Sequence, residues 1–313
     1  MSAPVLKVLA AIPSEDWRRW QGPLQAAFAQ AGLRVELARD LPPAEVDYII
    51  YAPSSGLDDF TPFTRARAVL SLWAGVERIV GNPTLTQPLT RMVDPGLREG
   101  MREYVTAHVL RLHLDTDRDV CRRDAAWQPY LPPLARDRHV GILGLGELGQ
   151  ACAQALAGLG FQVSGWSQRP KRLDGVDSLT GADGLQSVLS RADFLVTLLP
   201  QTPGTENIVN ARTLAMLPKG AVVINPGRGP LIDDTALLAA LDAGHMRHAV
   251  LDVFRTEPLP ADHPYWVHPK VTVTPHVASA TRPETASAVL AENVRRAEAG
   301  APLLYLVDRQ RGY

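Results

Sequence analysis

Arg228 in the stretch INPGRGPLID, Glu257 in LDVFRTEPLP and His276 in VTVTPHVASAT have the side-chain types for one kind of chemistry, the reduction of a carbonyl beside a carboxylate. As hydride reaches a carbonyl carbon, negative charge develops on its oxygen, and a positioned imidazolium can donate a proton there. His276 is the expected acid. A carboxylate hydrogen-bonded to the other ring nitrogen favours the charged imidazole and fixes its orientation, a role that falls to Glu257. A guanidinium can hold a substrate carboxylate through two parallel hydrogen bonds while polarising the carbonyl, which a lysine does less specifically. Arg228 is the expected carboxylate holder. Taken singly, the three read as a loop cation, a surface acid and a core histidine. What joins them is that each follows an apolar run of strand length, and ligands of open α/β sheets bind outside the carboxyl ends of the strands.

The second constellation is HVGILGLGELG, an apolar run leading directly into Gly144, Gly146 and Gly149, with a helical pattern after them. In that context the glycines read as a dinucleotide fingerprint. Gly144 allows the tight turn, Gly146 lets backbone approach a pyrophosphate, and Gly149 lets helix and strand pack closely. Glu147 and Leu148 lie between them, where the helix N-terminus offers unpaired N–H groups and a positive dipole end to phosphates. An acid that grips the adenosine ribose is expected ~20 residues further on. The corresponding stretch GWSQRPKR has none between Phe161 and Arg172, and presents Ser167, Gln168, Arg169, Lys171 and Arg172 instead. A hydroxyl and three cations suit a ribose 2′-phosphate, so NADP(H) is expected over NAD(H). One charge-assisted hydrogen bond contributes about 1.5 to 3 kcal/mol, enough to shift that preference by one to a few powers of ten. Nothing in the spacing fixes which of the three cations makes the contact.

These residues need a scaffold, and apolar runs of strand length alternate with helical patterns along the whole chain, the mark of βαβ units. VLKVLAAI, RVELA, VDYIIYA and AVLSL are the strands expected in the first third, with a helix capped by Ser14 after the first. A long helical run, GLREGMREYVTAHVLRLHLDTDRDV, then leads through the proline-rich WQPYLPPLARDR to a second series: HVGILGL, FQVSGW, DFLVTLL, AVVINP, HAVLDV and VTVTPH. The last expected helix starts after Pro283 and ends near Gly300, returning the chain to the first domain. The fold class is therefore α/β, a Rossmann-type doubly wound parallel sheet with a smaller flavodoxin-like α/β domain. The expected boundaries are 1–98 with 285–313 for a discontinuous substrate domain, and 99–284 for the NADP-binding domain.

Composition narrows the partners. With 313 residues, 46% of them hydrophobic, the chain can bury two cores. Its 32 Lys and Arg nearly balance 33 Asp and Glu, so no global field draws in nucleic acid or an anionic membrane. The N-terminal apolar run is interrupted by Lys7 and stopped by Pro13, which reads as a strand rather than a secretory signal. The two cysteines, Cys121 and Cys152, form neither a metal spacing nor a disulfide framework. A cytoplasmic location with free thiols is expected.

Taken together, these residues resemble the D-isomer-specific 2-hydroxyacid dehydrogenase family over essentially the whole chain. The stretches LLPQTPGTENIVN, LLAALDAGHMRHAVLDVF, HPYWVHPKVTVTPHVASATRP and VDRQRGY look like its glyoxylate/hydroxypyruvate reductase A branch. The resemblance implies NADPH-dependent reduction of glyoxylate to glycolate and of hydroxypyruvate to D-glycerate, in a two-domain homodimer with its active site in the interdomain cleft. It assigns Ala74 and Gly75 of SLWAGVE to a loop whose backbone N–H groups hold the substrate carboxylate. Trp73 stands there in place of a glycine. The same resemblance places Asp252 and Ser279 near the nicotinamide carboxamide, and Pro200 and Thr205 in a loop lining the cofactor. Trp127 matches an aromatic that reaches a neighbouring subunit. Two other readings are a reductase for a bulkier 2-oxoacid such as phenylpyruvate and a non-catalytic, dinucleotide-sensing binding protein, against which the retained Arg228, Glu257 and His276 argue.

Overall fold

The computed structural model describes residues 4–313, and the chain divides into two compact units, Met1–Leu97 with Ala280–Tyr313, and Arg98–Ser279. Met1, Ser2 and Ala3, at the head of the first expected domain, lie outside the described residues.

The smaller unit starts with β1 (Leu6–Ala11), α1 (Ser14–Gln30), β2 (Val35–Ala38), β3 (Tyr48–Tyr51), β4 (Ala68–Ser71) and β5 (Leu89–Thr90). Its sheet is parallel throughout in the order β2-β1-β3-β4-β5, the flavodoxin-like arrangement. Ser14 is not the cap of α1. Pro13 occupies that position without a side-chain cap, and Ser14 is the first helical residue. Proline fits just outside a helix start, because it has no N–H to leave unpaired. The two-residue β5 is too short to announce itself by periodicity.

The larger unit takes most of α2 (Pro95–His113), then α3 (Asp117–Val120), β6 (His139–Leu143), α4 (Glu147–Gly158), β7 (Gln162–Trp166), β8 (Val176–Leu179), α5 (Gly181–Leu189) and β9 (Phe194–Thr197). It continues through α6 (Ala211–Met216), β10 (Ala221–Asn225), α7 (Asp234–Asp242), β11 (Met246–Leu251) and β12 (Val271–Val273). Its parallel sheet has the order β12-β11-β10-β9-β6-β7-β8, a Rossmann-type doubly wound sheet whose direction of winding reverses between β6 and β9. Every residue of β6, β9 and β10 is buried, whereas β8 and β12 at the two edges are only partly covered. The edge position explains why β8, with its alternating VDSL, gives no continuous apolar signal.

The long helical run expected to reach Val120 is broken. α2 stops at His113, Asp115 takes φ 54 in the left-handed region, and the short α3 follows, held back by Asp117 accepting from Arg111 Nε at 2.7 Å and from Nη2 at 2.6 Å. Aspartate tolerates that conformation better than most residues, so it ends a helix the apolar pattern would have extended. Finally α8 (Pro283–Glu298) returns to the smaller unit, where Ala286, Leu290 and Val294 pack with Trp20, Leu24 and Phe28 of α1. Among the described residues, no helix is long and apolar enough to cross a membrane, and no group of His, Cys, Asp and Glu is placed to hold a metal.

Candidate active site

β10, β11 and β12 are consecutive in the larger sheet, so their carboxyl ends lie side by side at the ~4.8 Å spacing of a ladder. Arg228, Glu257 and His276 each follow one of these ends.

The Arg228 turn is held by Asn225, the last residue of β10. Thr197 Oγ1 donates to Asn225 Oδ1 at 2.7 Å, Gly227 N donates to the same oxygen at 3.1 Å, and Asn225 Nδ2 donates to Arg228 O at 2.9 Å. The flanking glycines are required by space. A Cβ on Gly227 would lie 2.6 Å from Thr197 O, and one on Gly229 would lie 2.0 Å from the Phe254 carbonyl carbon. Arg228 is half-buried between them, with Nη1 donating to Gly227 O at 2.7 Å. Asn225 and Thr197 carry no local signal in the sequence, because their task is to brace a turn across two strands.

Glu257 and His276 meet directly. One carboxylate oxygen accepts from Phe254 N at 2.9 Å and the other from His276 Nδ1 at 2.8 Å. A carboxylate only accepts, so Nδ1 carries a hydrogen and Nε2 is the atom left to face a substrate. The imidazole is open to solvent, with 51% of its side chain exposed. His276 itself has φ 54, a left-handed conformation unusual for a non-glycine residue. Asp252, fully buried at the end of β11, holds it there. Its backbone carbonyl accepts from His276 N at 2.9 Å, while its carboxylate accepts from Val277 N and Ala278 N, both at 2.9 Å, and from Thr274 Oγ1 at 2.6 Å.

The glycine turn follows β6. Gly144 has φ +106, and a Cβ there would stand 2.5 Å from Leu198 O; one on Gly149 would stand 1.8 Å from Gly144 O. Gly146 is different. No atom lies within 4 Å of where its Cβ would be, so the turn opens onto free space at that residue. Gly146 caps α4 without a side-chain hydrogen bond, and the first bond back into the helix comes from Gln150 N. The N–H groups of Glu147, Leu148 and Gly149 are therefore directed outward. Glu147 pairs with Arg98 at 3.5 Å, and Leu148 packs into the core. Both residues face the turn with backbone rather than side chain.

Beyond β7, Ser167 Oγ donates to Arg169 O at 2.7 Å, which closes the loop on itself. Gln168, Arg169, Lys171 and Arg172 are exposed, and no described residue pairs with the side chains of the three cations. Thr205 Oγ1 donates to Pro200 O at 2.7 Å and accepts from Thr202 N at 2.9 Å, so that loop is likewise closed from within. Ser279 abuts α2, where a Cβ on Gly100 would come within 2.7 Å of its Oγ. Ala74 and Gly75 belong to the other unit, in the segment after β4. There Trp73 N donates to Ser71 Oγ at 3.1 Å, Trp73 O accepts from Met92 N at 2.9 Å, and Trp73 is 41% exposed.

Several known proteins are similar to this chain over most of its length. Residues 105–278 match the family model for the NAD binding domain of D-isomer specific 2-hydroxyacid dehydrogenase. A glyoxylate/hydroxypyruvate reductase A from Yersinia enterocolitica is 37% identical over 310 residues, covering 96% of this chain and 98% of the relative. Among solved structures, a D-isomer specific 2-hydroxyacid dehydrogenase from Xanthobacter autotrophicus Py2 in complex with NADPH and MES matches with a TM-score of 0.90 at 40% identity, over 100% of both chains. An NADPH-dependent glyoxylate/hydroxypyruvate reductase from Sinorhizobium meliloti, in complex with NADP and sulfate, matches with a TM-score of 0.83 at 33% identity, over 99% of this chain and 100% of that one. On the extent of these matches, the chain belongs to the D-isomer specific 2-hydroxyacid dehydrogenase family.

Proposed function

We propose that this protein is an NADPH-dependent reductase of small 2-oxoacids, converting glyoxylate to glycolate and hydroxypyruvate to D-glycerate. The observation that carries the reading is the 2.8 Å contact between His276 Nδ1 and Glu257, which presents a proton donor at the carboxyl edge of a dinucleotide-binding sheet. Two similar proteins named for reduction of these two acids support the choice of substrates.

Bound NADPH supplies the hydride that reduces the 2-oxo carbon. His276 Nε2 gives its proton to the oxygen on which charge develops, and Glu257 stabilises the protonated ring while holding its plane. Arg228 binds the substrate carboxylate, its backbone held by Asn225 and its guanidinium by the Gly227 carbonyl. The smaller unit acts as the substrate domain, with the backbone N–H groups of Ala74 and Gly75 as further carboxylate donors, and the larger unit binds the cofactor.

The residues fit that cofactor. The open space at Gly146 and the outward N–H groups of Glu147, Leu148 and Gly149 suit a pyrophosphate. Ser167 with Gln168, Arg169 and Lys171 suits a 2′-phosphate better than a free 2′-hydroxyl, and two similar structures hold NADPH or NADP. Pro200, Thr205, Asp252 and Ser279 complete the cofactor site through their loops. In the cell the protein works as a cytoplasmic homodimer. That state is supported by Trp127 at 93% and Leu131 at 95% exposure, apolar side chains that a second copy would cover.

Exchanging His276 for Gln should lower kcat by roughly three or more powers of ten with little change in NADPH affinity. Full activity in that variant would remove His276 from the mechanism.

A further inference from the structure

We infer that one face of α2, carrying Gly100 and Tyr104, sets the angle of the His276 imidazole, with Tyr104 acting as a positioning residue through Thr274 and Asp252. This rests on the proposal that His276 is the proton donor.

The argument follows the direction of the hydrogen bonds. Asp252 can only accept, so the 2.6 Å contact fixes the Thr274 hydroxyl as its donor. With its proton committed, Thr274 Oγ1 is the acceptor for the Tyr104 hydroxyl at 2.7 Å. Burial, aided by the charge of Asp252, pushes the Tyr104 phenol up to about 12, so it keeps that proton at ordinary pH. The chain runs one way, from Tyr104 to Thr274 to Asp252. Asp252 in turn holds His276, Val277 and Ala278 by their backbone N–H groups, and His276 needs holding because its φ of 54 is one that a non-glycine residue readily leaves.

The same helix also lies close against the other end of the loop. Gly100 is one turn before Tyr104 on the same face of α2, and a Cβ on it would press within 2.7 Å of Ser279 Oγ. The stripe continues away from the loop. The Tyr104 ring lies 4.5 Å from that of His108, and Arg111 Nη1 donates to Thr272 Oγ1 at 3.2 Å. Thus α2 touches the strand end before His276 and the residue where its loop closes.

Tyr104→Phe removes the hydroxyl and keeps the ring. With saturating NADPH and glyoxylate, kcat should fall about tenfold, while the KM for NADPH stays within about twofold and the Tm is unchanged. In the same variant the His276 imidazole signal, assigned by its loss in His276→Gln, should move in the NMR spectrum. Gly100→Ala should reproduce both changes from the opposite end of the loop. Wild-type kcat in Tyr104→Phe, when His276→Gln is inactive, overturns the inference, as does a loss of rate accompanied by a matching loss of Tm. Full activity in His276→Gln would instead refute the proton-donor reading. The imidazole signal alone then decides whether α2 positions the loop, and an unmoved signal overturns that too.

Discussion

His276 and Glu257 are paired in the fold, and each carboxylate oxygen of Glu257 has one partner, Phe254 N at 2.9 Å and His276 Nδ1 at 2.8 Å. Glu257→Gln keeps the shape but replaces one acceptor oxygen with a donor, so it cannot accept from both Phe254 N and a protonated His276 Nδ1, and it no longer balances a charged imidazole. We expect kcat to drop about 10²-fold or more with the fold intact, measured by steady-state turnover beside circular dichroism. Arg228→Lys should act elsewhere. A single ammonium cannot reproduce a two-pronged grip on a carboxylate, so KM for the oxoacid should rise by about one to two powers of ten while the KM for NADPH holds. At the level of single residues the sequence offered Arg228, Glu257 and His276 as candidates because their chemistry is distinctive, and the structure brings Glu257 and His276 into contact. The sequence hid Asn225, Thr274 and Tyr104, because a hydroxyl or an amide acquires a task only from what the fold sets opposite it.

Among the elements, the turn from β6 into α4 shows how glycines of one motif differ in kind. Gly144 and Gly149 are crowded by backbone, whereas Gly146 has open space where a side chain would stand. Gly144→Ala should therefore cost about 1 to 3 kcal/mol of stability, since φ +106 and the nearby Leu198 O both oppose a Cβ. Gly146→Ala should leave the Tm nearly unchanged, its φ of −73 being ordinary, and weaken NADPH binding about tenfold or more by filling the approach to the pyrophosphate. Thermal denaturation and cofactor titration of the two variants separate these outcomes. The motif was legible because strand, glycines and helix are contiguous. The end of α2 was not, since the apolar pattern runs on past His113, and the break lies in the left-handed Asp115 and in the Arg111 pair with Asp117. β8 stayed hidden for a different reason, as an edge strand buries too little to need a continuous apolar run.

On the scale of the whole molecule, charge is balanced overall, but the larger unit buries several histidines. Burial holds His108, His113, His139 and His248 below the usual imidazole range, with nearby arginines adding to the effect, and His248 is lowered to about 4. Folded, these rings stay neutral as pH falls below ~6.5, whereas the unfolded chain takes up the protons. Stability is thus complete above ~6.5 and is lost as pH drops from there toward about 4. Urea denaturation should give a stability lower at pH 5 than at pH 7.5 by about 1 to 3 kcal/mol, and His248→Gln should narrow the gap. Two parallel sheets, one flavodoxin-like and one doubly wound, were both foreshadowed by the alternation of strands and helices, because a parallel sheet requires a crossover after each strand. Delivery of NADPH by the larger sheet to a small 2-oxoacid, as proposed, is tested by comparing kcat/KM for NADPH and NADH with glyoxylate, hydroxypyruvate and phenylpyruvate. We predict a preference for NADPH of at least about tenfold, with the two small acids favoured over the aromatic one. Equal efficiency with the two cofactors, or preference for phenylpyruvate, would contradict it.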